Sequence, residues 1–320
     1  MAQPELNVDF GLAYKVETTA GTWVTPTMAL DAIRVASRPV IRWGFQFPGF
    51  REGVSVAGYG VPASANPLGR WARIDCEIEL IGSNVAGTQP QWTRLLETFE
   101  THTDGVSEND FAPAASTKKT ISVLLQDANK EYQVRGAVPE RLVIRGPDAE
   151  NRVMVAATIG GIMDVDPVQK APDAQTFNNH AASPTPFQGA FTVGGTALAY
   201  DSFELDYQLQ ARIFRPDRTQ TDGLLYGVVT QVNPIVRFPT EVVAIATHDP
   251  FTREKAPATA LAYSQRLGST AGNQWLLTGD HAEYVAGEGT LVDRESIIYY
   301  GLALRFAKPA TGTWFRQRAD

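Results

Sequence analysis

Few residues in this chain combine the type and spacing that catalysis or cofactor binding demands. Gly58-Tyr-Gly-Val-Pro-Ala63 matches the loose G-x-G-x-x-A form of a dinucleotide-binding turn. Such a turn needs a strand before it and a helix directly after it. Pro62, and then Asn66-Pro67, obstruct that helix. The sequence holds no G-x-x-x-x-G-K-[ST], no G-x-S-x-G and no H-E-x-x-H. The four histidines, His102, His180, His248 and His281, stand singly in expected loops, none with a second histidine at helical or strand spacing. Asp164-Val-Asp166 opens like a calcium loop, but Pro167 follows and the glycine and closing glutamate are missing. Cys76 is the only cysteine, so an intramolecular disulfide and a cysteine-built zinc site are excluded. The expectation is no catalytic residue, no cofactor and no metal. What recurs instead is carboxylates at alternate positions: Asp75, Glu77 and Glu79 with Arg73, and Glu204 with Asp206.

Alternation of that kind belongs to strands, and it is the dominant pattern in the chain. Over 73–81, Ile74, Cys76, Ile78 and Leu80 point one way and the charged residues the other. A second long strand is expected over 202–214, with Phe203, Leu205, Tyr207, Leu209, Ala211 and Ile213 opposite the acids. Shorter strands are expected at 120–126, 131–136, 141–145, 152–159, 224–232, 241–247, 274–278 and 296–306. One α-helix is expected at about 90–100: Pro90 suits a first turn, and Trp92, Leu95, Leu96 and Phe99 form a stripe that covers a sheet. A second, over 251–262, contains Pro257. Two stretches read as long loops. Residues 45–69 carry Phe45, Phe47, Phe50 and Tyr59 among glycines and prolines, and 166–189 reads as a linker or surface excursion between two β-rich halves.

Composition agrees with that reading. The 320 residues are 43% hydrophobic and 20% charged, with 27 glycines and 20 prolines to punctuate strands. The fold expected is mainly β: antiparallel β-sandwich or barrel-forming sheets with one flanking α-helix and long loops, in a single domain over 1–320. The net charge of −7 comes without a basic run, so stable binding of nucleic-acid phosphates is disfavoured. MAQPELNVDF has neither the basic nor the apolar region of a secretory signal. The longest weakly polar run, 153–163, falls short of the ~20 residues a spanning helix needs. A soluble, reducing compartment and no membrane partner are expected.

The order of the motifs resembles one family. Ala13-Tyr-Lys-Val-Glu-Thr-Thr-Ala-Gly-Thr-Trp-Val-Thr-Pro26 is similar to the opening of tail tube proteins of long-tailed bacteriophages, where a short strand leads to an acidic residue, a Gly-Thr and a proline. Residues 69–87, followed by Pro90 and the Leu95-Leu96 helix, resemble that family's strand–Gly–helix element. Residues 116–136 resemble its paired strands, and 152–167 its strand leading to a proline. The chain departs from the family at Glu97-Thr-Phe-Glu100, where many members have a glycine.

The resemblance implies a virion subunit, assembled in the bacterial host cytoplasm into rings, usually hexameric, that stack into a tube. Its implied partners are its own copies, a tape-measure protein in the lumen, and terminator and baseplate or tip proteins at the tube ends. Double-stranded DNA passes through without stable binding. The 45–69 loop would then reach the neighbouring ring through Phe45, Phe47, Phe50 and Tyr59. The acidic rows Asp75, Glu77, Glu79 and Glu204, Asp206 would be solvated surface, salt bridges between subunits, or lumen lining. The alternatives are a minor tail or tail-completion protein, a receptor- or carbohydrate-binding β-sandwich module of a virion and, third, a hydrolase on a β scaffold.

Overall fold

The computed structural model describes residues 10–46, 69–105, 108–113, 119–163, 165–177, 184, 191–213, 215–216, 224–244, 247–255, 261–285, 287–294, 297–307 and 315–319. The first half contains β1 (Phe10–Val16), β2 (Val40–Gln46), β3 (Gly69–Glu79), a helix (Gln91–Thr98), β4 (Glu100–Thr103), β5 (Asn109–Pro113), β6 (Ile121–Asp127), β7 (Lys130–Gly146), β8 (Met154–Ile162) and β9 (Val168–Gln169). Then follow β10 (Phe191–Val193), β11 (Thr196–Ala197), β12 (Phe203–Asp206), β13 (Gln210–Arg212), β14 (Arg215–Pro216), β15 (Leu224–Leu225), β16 (Val228–Gln231) and β17 (Ile235–Glu241). Last come α1 (Pro250–Lys255), β18 (Leu261–Thr270), β19 (Asn273–Tyr284), β20 (Thr290–Arg294), β21 (Ile297–Phe306) and β22 (Arg316–Ala319). The fold is mainly β and antiparallel.

Two layers share one strand. The N-terminal half of β7 pairs with β6, which pairs with β1, while its first two residues also meet β9. Its C-terminal half enters a second sheet whose central run is β2–β3–β8–β7–β12–β17–β21–β20. β21 also meets β19, which carries β18, β10 and β11 on one side and β22, β5 and β4 on the other. Both halves of the chain fill a single core, from Leu12, Ile74 and Leu125 to Tyr263, Trp275 and Leu304.

The switch between layers is a bend in β7. The expected strands 131–136 and 141–145 are one strand, interrupted by register shifts between Arg135 and Val138 and between Pro139 and Arg141. Gly136 sits at the bend with φ +57, where the backbone of Tyr226 would stand 3.0 Å from an added Cβ. The buried Glu17 carboxylate closes the bend. It accepts the Gly136 N–H at 2.7 Å, the Gly21 N–H at 2.6 Å, the Ser122 hydroxyl at 2.9 Å and the Thr120 hydroxyl. The acidic residue of the opening motif thus holds β1, β6 and β7 together.

The helix over 91–98 is a correction: it is 3-10, not α. Thr93 N–H bonds the Pro90 carbonyl and Phe99 N–H the Leu96 carbonyl, three residues back. The Thr93 and Thr98 hydroxyls take the Pro90 and Leu95 carbonyls, competing with an α ladder. At three residues per turn, Trp92, Leu95 and Thr98 form one row and Thr93, Leu96 and Phe99 another. Both rows are buried. The third row is polar: Arg94 donates to the Tyr14 carbonyl and Asp31, and Glu97 accepts from Lys119 and Gln89.

Other elements differ as well. The 202–214 strand ends at Asp206, whose carboxylate accepts the Gln208 N–H while Gln208 adopts φ +44. The chain then leaves the large sheet, and β13 pairs with β16. Of the helix expected at 251–262, the described part is Pro250–Lys255, and Leu261 already begins β18. Residues 242–244, expected in a strand, are irregular; the strand is β17, which Pro234 and Pro239 disguise. Of the expected linker, Lys170 pairs with Glu131, Gln126 with Asp173, and Gln175 with the Phe10 carbonyl, so 165–177 lies along the first layer.

Glu100 opens β4 fully buried. Gln317 of β22 donates to both its oxygens at 3.1 Å, and Gln317 in turn accepts from Tyr207 at 2.6 Å and Trp275 at 3.2 Å. Burial pushes the Glu100 carboxyl up from 4.5 to about 8.

Two outcomes follow from these buried carboxyls. Replacing Glu17 with Ala strands buried donors and is expected to cost about 3 kcal/mol or more in urea denaturation, with Glu17→Gln recovering part. For Glu100, the unfolded carboxyl releases its proton near 4.5 and the folded one only near 8. Unfolding therefore releases a proton between those values, so stability falls as pH rises through that window and levels off above it. The loss is on the order of 5 kcal/mol. Glu100→Gln is expected to remove this fall, measured as unfolding free energy against pH in both proteins.

Candidate functional site: the charged face of the central sheet

Residues directly paired across antiparallel strands share a face. Glu79 pairs with Met154, Met154 with Arg145, Arg145 with Glu204, and Glu204 with Arg237. The two acidic rows, on β3 and β12, therefore lie on the same face of one sheet, with β8 and β7 between them. The opposite face carries Ile74, Cys76, Ile78, Leu142, Ile144, Phe203 and Leu205 into the core.

Arginines from neighbouring strands interleave with the acids. Asp75 pairs with Arg42 of β2 at 2.8 Å and accepts the Thr158 hydroxyl at 2.7 Å. Glu77 pairs with Arg145 of β7, Glu79 with Arg34 at 3.0 Å, and Arg73 with Glu140 at 2.6 Å. Further along, Arg237 of β17 reaches Glu288 at 2.8 Å and Glu204 at 3.5 Å, and Arg305 of β21 reaches Glu283 at 2.8 Å. The Glu288 hydrogen bond, with the charges of Glu288, Glu204 and Asp206, pushes Arg237 up and holds it protonated. Asp206 binds the Gln208 N–H. The face is a mixed-charge lattice rather than an acidic surface. Strand alternation revealed Arg73 alone among these cations, because Arg42, Arg145, Arg237 and Arg305 sit on strands whose register only folding sets, and Arg34 reaches Glu79 from outside any strand.

An open cleft of about 740 Å³ lies on this face. It runs between the turn that holds Asp148 and Arg152 and the segment of Glu288 and Thr290, over Glu204 and Arg237.

The remaining sequence candidates fall elsewhere. Trp92, Leu95, Leu96 and Phe99 are buried in the core. The backbone of Phe45 pairs with Arg70 at the end of β2. Its side chain, and Phe47, Phe50, Tyr59 and the 58–63 turn, lie outside the described residues. His248 is buried against the Tyr284 hydroxyl at 2.7 Å, His102 stacks on Phe111, and His281 lies 3.8 Å from Glu283. His180 and Asp164 are not among the described residues. Burial, with Asp75 and Glu77 beside it, pushes the Cys76 thiol up to about 12, so it stays protonated on the core face. Among the described residues, no group of three or more His, Cys, Asp or Glu is placed to hold a metal. No helix there is long and apolar enough to cross a membrane.

No protein-family model matches the sequence, and no curated protein is significantly similar to it.

Removing Arg237 leaves Glu204 and Glu288 facing each other without their cation. Arg237→Ala is expected to cost about 1 kcal/mol, and less in high salt, where screening weakens the repulsion. Arg145→Ala, which breaks a more exposed pair, is expected to cost less. Urea denaturation at low and high salt checks both.

Proposed function

We propose that this chain is a structural subunit of a bacteriophage tail tube, self-assembling into stacked rings around a lumen. The observation that carries the reading is the run β2–β3–β8–β7–β12–β17–β21–β20. Among the described residues both outer strands are paired on one side only, β2 with β3 and β20 with β21. Open edges are hazards that proteins cover, charge or pair. Here they carry exposed apolar side chains, Val40 and Trp43 on β2 and Leu291 on β20, with Ile297 and Ile298 exposed beside it on β21. A subunit that completes its sheet with its neighbours removes both edges at once.

The order of motifs from Ala13 to Pro167 supports the same reading. So does the mixed-charge face: with Arg42, Arg73, Arg145, Arg237 and Arg305 held in ion pairs, it offers no continuous basic track to retain a passing duplex. In this role the chain belongs to the virion and is assembled in the host cytoplasm. It contacts its own copies, a tape-measure protein and the proteins at the tube ends, and it catalyses no reaction. The 740 Å³ cleft favours a second reading, a virion binding module in which that cleft takes a ligand.

Negative-stain microscopy of the purified protein is expected to show rings or tubes, unchanged by chelator and in a Cys76→Ser variant. A uniform monomer under assembly-promoting conditions contradicts the proposal.

A further inference from the structure

Trp43 is half exposed, at 51%, on the open edge strand β2. Its ring touches Tyr132 at 5.8 Å between centroids, and the rest faces solvent. Trp43 pairs with the fully buried Ala72, so it stands on the core-side face of the sheet, not the charged one. At the opposite edge, an apolar pocket of about 260 Å³ opens beside β20, lined by Pro250, Phe251, Tyr284, Leu291, Tyr300 and Leu302. Leu291 pairs with Tyr300, which packs against the core, so this pocket belongs to the same core-side face. Phe251 and Leu291 at its mouth are 48% and 66% exposed. A cavity of about 150 Å³ holds benzene, so this one accommodates the larger indole ring.

We propose that Trp43 of one copy seats in this pocket of the next, joining β2 of the first to β20 of the second. This rests on the reading of the chain as a self-assembling subunit. Strand direction supports it. The eight strands of the run alternate in direction, so β2 and β20 run opposite ways and meet as antiparallel neighbours when copies repeat head to tail. The charged face then continues from copy to copy, and Trp43 stays on the side where the pocket lies.

Charge selects the same partner. On the β2 side, residues 32–44 carry Arg34, Arg38 and Arg42 and no acid, whereas residues 283–291, which lead into β20, carry Glu283 and Glu288 and no base. Arg34, Arg38 and Arg42 pair within the chain yet remain 42%, 44% and 69% exposed. Bringing the β2 side against itself, or the β20 side against itself, sets like charges together, while the β2 side against the β20 side sets opposite charges together. An aromatic anchor in an apolar pocket with a charged rim is the usual anatomy of a binding hot spot.

A complementation experiment tests the contact. Trp43→Asp and Leu291→Asp alter exposed side chains and are expected to fold, checked by circular dichroism and melting. Each alone is expected to lose every species above monomer in sedimentation velocity, whereas Trp43→Phe retains assembly. An equal mixture of the two Asp variants is expected to form a dimer that grows no further. The Trp43→Asp chain still offers an intact pocket, and the Leu291→Asp chain an intact Trp43. Asp variants that assemble like wild type, or a mixture of folded variants that stays monomeric while wild type assembles, overturn this contact and leave the tube reading standing. A wild-type protein that never assembles overturns both.

Discussion

The bend of β7 at Gly136 is the constraint on which the rest of the molecule depends. An antiparallel strand satisfies its neighbours only while it stays in plane, and at Gly136 the chain leaves one sheet for another. The positive φ there is open to glycine without strain. The backbone N–H that the bend leaves unpaired is taken by Glu17, not by a neighbouring strand. Because one buried carboxylate also collects donors from Gly21, Thr120 and Ser122, the turn after β1, the start of β6 and the middle of β7 share a single fixed point. Without it, three segments distant in sequence would each leave a polar group buried and unmet.

What the bend achieves is placement. The second half of β7 passes between β8 and β12 and brings Arg145 into the row that also holds Glu79 and Glu204. Asp75, Glu77 and Glu204 thereby meet Arg42, Arg145 and Arg237 from other strands, in pairs too exposed to add much stability. Their consequence is electrostatic: a broad face with alternating charge, neither a basic track nor an acidic one. Stability is concentrated on the other side of the sheet. There Phe99, Tyr207, Phe315, Phe306, Tyr263 and Phe191 touch in sequence, ring to ring, and tie the first half of the chain to the second. Gln317 of β22 joins the same assembly through Glu100, so the last described strand is anchored by a buried polar group as well as by its ladder.

The proposed assembly uses what this arrangement leaves over. The central run has a packed face, a mixed-charge face and, among the described residues, one outer edge at β2 and another at β20 open along its own hydrogen bonds. Those two edges differ in charge and in shape. A repeat that uses both is therefore heterologous and generates rings or filaments, whereas a repeat that uses one is limited to a pair.

The sequence by itself determined the class of the fold and the direction of most of its side chains. Alternation over 73–81 placed Ile74, Cys76 and Ile78 in the core, because the two-residue period of a strand is local and survives any arrangement of neighbours. It also showed, through composition, that turns would be frequent and helix scarce. It misjudged the elements whose form is set by contacts far along the chain. The stripe of Trp92, Leu95, Leu96 and Phe99 fits both an α and a 3-10 helix, and burial of two rows with threonine hydroxyls on the carbonyls favoured the tighter one. β17 was hidden by its prolines and exists because β12 and β21 flank it. Only the tertiary structure decided that the carboxylates of β3 and β12 share a face with Arg42, Arg145 and Arg237. Which residue faces which across a sheet depends on strand order and register, and pairings that join residue 79 to residue 237 through three intervening strands leave no mark on any one local stretch of sequence.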